Sequence, residues 1–102
     1  MDQIGLAQEK QREEIEKVKK AIESSEVEKI YFNGVSCSLG PGDVAITIFR
    51  NGQSIKVLNT SYTMAKSLSE NLSKLIQVLE NVTQNKIMTS EFINQKLTEK
   101  KT

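Results

Sequence analysis

Histidine and tryptophan are absent from the 102 residues, and cysteine and proline occur once each. Without histidine there is no Ser-His or Cys-His nucleophile pair, no imidazole metal ligand and no histidine pH switch. With Cys37 alone, an internal disulfide cannot form and cysteine-based zinc motifs are excluded. No run approaches the ~18 apolar residues of a membrane span, and the opening Met1-Asp2-Gln3-Ile4-Gly5 leads into charged residues rather than an apolar signal segment. The expectation is a protein of the reducing cytoplasm, outside the membrane.

Charge of one sign is lacking too. Fourteen Lys and Arg against 13 Asp and Glu leave a net charge of +1, without the basic block of a dedicated nucleic-acid binder. Aromatics make up 5% and apolar residues 37%, which is lean for a domain that should bury only about two thirds of its unfolded surface. A core this lean gains stability from a second surface, as other small scaffolds do.

What is present reads as one domain in three stretches: an N-terminal helix or arm over 1–24, a β-meander over 27–59 and a helical part over 61–101. In the first, Ile4, Gln8, Gln11, Ile15, Val18 and Ile22 recur at spacings of 4, 3, 4, 3 and 4, an a/d series with two polar members. Outside this seam Glu13 and Lys17, and Glu16 and Lys20, form i to i+4 pairs in the favourable order. The helix is either a solvated arm or a narrow seam for another subunit, and glutamines at a or d positions would fix its register.

Alternation marks the strands: Ile30 and Phe32, then Val35, Cys37 and Leu39, then Val44, Ile46 and Ile48. Asn51-Gly52 is a two-residue hairpin signal, because both turn positions need φ > 0. A type I′ turn there sets Arg50 opposite Gln53, Ile48 opposite Ile55 and Ile46 opposite Val57. Asn33-Gly34 reads either as a second turn or as a bulge in one bent strand over 28–39, and the bent strand is slightly favoured. Gly40-Pro41-Gly42-Asp43 is a turn, in which Asp43 is expected to accept backbone N–H bonds.

A helix from near Ser61, capped by Thr60 or Ser61, carries Ala65, Leu68, Leu72, Leu75, Leu79 and Val82 at helical spacing, widened by Met64, Ile76 and Val78. That stripe is expected to be the core packed on the sheet. After a break at 83–86, Thr89 caps a short last helix with Phe92, Ile93 and Leu97. The fold class is thus α+β: a small antiparallel β-meander of three or four strands packed by one amphipathic helix, with a polar N-terminal helix and a short C-terminal one.

No chemistry assembles from these residue types. Leu39-Gly40-Pro41-Gly42-Asp43 leads into a strand and lacks the Lys-Ser/Thr of a phosphate loop. Asp43 stands without a partner base, and no serine or threonine has an activating neighbour. Cys37, at an alternating strand position, reads as a buried small hydrophobe rather than a reactive thiol. Tyr31, Arg50, Lys56 and Tyr62 form the one candidate ligand surface, a thin basic patch with aromatics. No catalytic residue, metal ligand or cofactor site is assigned.

The run Tyr31-Phe32-Asn33-Gly34-Val35, the strand opened by Asp43, and Ala65-Lys66-Ser67-Leu68 together resemble a group of short bacterial proteins of unknown function. Those proteins carry a Tyr-x-Asn-Gly-Val strand and an Ala-Lys-x-Leu helix ending near an acidic residue, a place Glu80 would take. The resemblance spans about residues 30–82 and implies a sheet-plus-helix unit, dimeric in one form, with no activity attached. The many Lys, Asn, Ile and Ser residues fit a low-GC bacterial or bacteriophage source.

The sequence therefore points away from an enzyme and towards a non-catalytic interaction protein that self-associates, as a dimer above all, and binds a protein partner. The alternative is a small regulator or phage-type inhibitor that binds a nucleotide or a host enzyme.

Overall fold

The computed structural model describes residues 3–100, with the side chains of residues 3, 4, 6 and 100 left aside. Ile4, first in the proposed seam, therefore lies outside the described side chains. The order is α1 (Gln3–Glu23), β1 (Gly34–Leu39), β2 (Val44–Arg50), β3 (Gln53–Thr60), α2 (Tyr62–Thr83) and α3 (Ser90–Lys100). The sheet is a three-stranded antiparallel meander in the order β1-β2-β3, so the α+β reading holds with three strands rather than four.

The Asn51-Gly52 turn forms as its residues demand, with φ of 52° and 85°. Arg50 pairs with Gln53, but the ladder then slips. Ile48 lies opposite Lys56, Thr47 opposite Val57 and Ile46 opposite Leu58. Ile55 is thus an extra residue on β3, and the expected Ile48–Ile55 and Ile46–Val57 pairs do not occur. A bulge adds local twist and re-aims the chain beyond it. Here it turns Leu58 onto the face of Ile46 and sends Val57 to the other side.

Residues 28–33 are not a strand, which corrects the bent-strand reading, and Asn33-Gly34 is not a hairpin turn either. Asn33 instead anchors an extended strap to the β2–β3 turn. Its side chain accepts from the Asn51 N–H at 2.9 Å and donates to Asn51 Oδ1 at 3.1 Å, while its own N–H donates to the Phe49 carbonyl at 3.0 Å. Gly34 lies close beside it: a Cβ there would come to 3.2 Å from Phe49 Cβ, so a larger residue would require the strands to shift by a few tenths of an ångström.

Ser61 caps α2, its Oγ accepting from the Met64 N–H at 3.1 Å. The helix ends at Gln84 in the left-handed conformation (φ 58°), after which Glu80 accepts the Ile87 N–H at 2.7 Å and folds the link to α3 back on itself. Thr89 caps α3 through Phe92 N–H at 3.1 Å.

Burial is scarce. Ile48, 2% exposed, is the one buried hydrophobic side chain among the described residues, and no residue of α2 is buried. The chain exposes 9417 Å², whereas a compact monomer of its mass should expose about 5,800 Å². Its radius of gyration is 18.0 Å, against about 13 Å for a compact domain of this length.

The expectation that the whole α2 stripe is core is therefore corrected. Ala65, Leu68 and Leu72 line a groove with Cys37, Val44 and Ile46 of the sheet, and that groove ends at Ser73. Beyond it Leu75 is 66% and Val82 77% exposed. The physical reason is supply: a three-stranded sheet has too few apolar side chains to face a 22-residue helix about 33 Å long.

Candidate functional site

Register decides what each sheet face offers. Residues paired across strands share a face, so Val35 goes with Ile48, Cys37 with Ile46 and Leu58, and Leu39 with Val44. This is the face that α2 overlies. The other face carries Ser36, Ser38, Thr47 and Asn59, with Phe49 and Val57 among them. One face is mainly apolar, with Lys56 and Thr60 on its β3 edge, and is under-covered; its opposite is mainly polar.

On the apolar face Val35, Leu39 and Leu58 remain exposed, Leu39 at 81%. On α2, Leu68, Leu72, Leu75 and Leu79 are exposed as well. The sequence marks the α2 stripe as core and Val35 and Leu39 as alternating strand positions, and it does not single out Leu58. The missing signal was stoichiometric: the stripe on α2 is longer than the sheet able to receive it.

The seam proposed on α1 is presented to solvent. Gln8 and Gln11 are exposed, and so are Ile15, Val18 and Ile22. Alone they offer three apolar side chains, a much smaller surface than the sheet and α2.

The candidate ligand residues divide into two places. Arg50 Nε donates to the Tyr31 carbonyl at 3.1 Å, and Lys56 Nζ lies 3.1 Å from Glu28 Oε2. These three therefore hold the strap against the β2–β3 hairpin. Both partners of the Lys56–Glu28 pair are largely exposed, so the pair adds at most about 1 kcal/mol. Tyr62 sits apart, donating its hydroxyl to the Gly40 carbonyl at the β1–β2 turn. There too Asp43 accepts from the Asn59 side-chain amide at 3.1 Å, in place of the backbone capping expected of it. A Cβ at Gly40 would lie 2.6 Å from Asp43 Oδ1, so a larger residue there would push the Asp43 carboxylate aside.

Among the described residues no group of three or more Cys, Asp or Glu could hold a metal ion, and no helix is long and apolar enough to cross a membrane. Cys37 is a free, exposed thiol, not the buried hydrophobe its alternation suggested. No family model, no curated protein and no solved structure matches the chain.

Proposed function

We propose that this protein is a non-catalytic assembly module whose core is completed by a second copy of itself, the assembled form being what presents a surface to a protein partner. The observation that carries the reading is the 9417 Å² of exposed surface with a single buried side chain among the described residues. The excess over a compact monomer, about 3,600 Å² per chain or about 7,200 Å² for two, exceeds the roughly 2,000–5,000 Å² in total of most obligate interfaces, so there is ample surface for a second copy to cover. Among the described residues, nine of the exposed large apolar side chains lie on α2 and four on the sheet.

A second copy is the economical occupant because the same apolar groups are then on both sides. Isologous pairing needs one patch that complements itself, and a stripe of leucines on a helix does so readily. The seam of Ile15, Val18 and Ile22 belongs to the same proposal as a lesser contact, useful for register.

Coupling of folding to assembly gives the test. If the dimer is the folded species, mass action ties its stability to chain concentration. A hundredfold rise in concentration should raise the thermal midpoint by about 5–10 °C. A midpoint independent of concentration would show that one chain folds by itself, and the proposal would fail.

A further inference from the structure

We infer that two copies join edge to edge through β1, in antiparallel register with Cys37 on the two-fold axis, making one six-stranded sheet. The inference rests on the self-assembly reading and specifies its geometry.

The two outer strands differ sharply. β3 reads Gln-Ser-Ile-Lys-Val-Leu-Asn-Thr, with Lys56 in its middle and a bulge beside it. A charge and a bulge are the usual protections of an edge. β1 reads Gly-Val-Ser-Cys-Ser-Leu, with no charge, no proline and no bulge within it. Among the described residues no strand pairs with its outer side. An exposed edge of this kind is a template for another strand.

Backbone direction shows which groups await a partner. The Gly40 N–H donates to the Asp43 carbonyl at 2.8 Å, so Gly40 turns its backbone toward β2. Alternation along an antiparallel ladder then turns Gly34, Ser36 and Ser38 the same way. Val35, Cys37 and Leu39 direct their N–H and C=O groups outward.

The sequence of this edge is its own complement. Val35-Ser36-Cys37-Ser38-Leu39 reads small-polar around a central cysteine in both directions. With Cys37 on the axis, it faces the partner's Cys37, Val35 faces the partner's Leu39, and Ser36 faces the partner's Ser38. Apolar then meets apolar on the α2 face, and serine meets serine on the other. The start of α3 shares a groove with Phe32–Val35 and leaves Cys37 and Leu39 open.

The axis stands perpendicular to the sheet, so both α2 helices lie on one face of the enlarged sheet. Doubling its width gives the overlong apolar stripe something to cover. One juxtaposition thus accounts for both the unguarded edge and the uncovered helix.

The register is tested by charge. In S36K/S38K each lysine faces a lysine across the axis, and the dimer dissociation constant measured by sedimentation should rise at least about tenfold. In S36K/S38E each lysine faces a glutamate, and affinity should return to within about threefold of wild type. Undiminished association of S36K/S38K would overturn edge pairing and leave self-assembly standing. Weakening that S36K/S38E does not restore would overturn the register. A monomeric wild type would remove both readings. Should S36K/S38K fail to fold, amide exchange of the wild-type chain decides: the Val35, Cys37 and Leu39 N–H groups should be protected, increasingly so with concentration, and free exchange at all three overturns the pairing.

Discussion

Replacing Leu75 with aspartate should abolish or greatly weaken the assembly, although the side chain touches almost nothing in a single chain. At 66% exposure, a monomer would tolerate the change within about 0.5 kcal/mol. In the assembled form the same position lies in the apolar layer above the sheet, where an unpaired carboxylate is costly. We expect a loss of at least about 2 kcal/mol per dimer, or roughly thirtyfold in its dissociation constant. Sedimentation of Leu75→Asp beside wild type gives the comparison. Lys74→Asp, one position away on the polar face, controls for charge and should leave association unchanged. Equal association of Leu75→Asp and wild type would place the contact elsewhere.

The second large effect concerns the one side chain already buried. Ile48 sits in the central strand, between Val35 and Lys56, at 2% exposure. Truncation to alanine removes three methyl or methylene groups and leaves a cavity at the one buried position among the described residues. The cost should be about 2–5 kcal/mol, with Ile48→Val costing about 0.5–1.5 kcal/mol. Thermal unfolding of Ile48→Ala at the wild-type concentration should show a midpoint lower by about 10 °C or more. A fall of only a few degrees would mean that burial of Ile48 contributes little to the fold.

Much of the architecture follows from short-range rules visible in the residues. Asn51-Gly52 can hardly avoid a tight turn; Ser61 and Thr89 cap the helices that follow them; the spacing of Ala65 to Val82 admits only a helix. The strand register beyond the turn was less legible. Ile55, Val57 and Leu58 are all β-forming apolar residues, so alternation alone permits either register. The choice fell to the bulge, which brings Leu58 over Ile46 and lets Lys56 reach Glu28. Likewise Asn33 resembled a turn residue, and its role as an anchor depends on Asn51, 18 positions away.

The candidate interface was legible in part. An amphipathic stripe states that a helix face is covered but not by which chain. Leu68 and Leu72 meet their own sheet, whereas Leu75, Leu79 and Val82 reach past it. That distinction depends on the length of α2 relative to the sheet, a quantity that appears only once the chain is folded. The bias towards the α1 seam arose because its heptad spacing is conspicuous, although its apolar content is small.

The central claim is that one chain is half of the folded unit. Light scattering coupled to size exclusion, run on the full chain at micromolar concentration, addresses it most directly. The account predicts a particle of twice the 11.5 kDa chain mass. A folded particle of 11.5 kDa that persists at every concentration would contradict it.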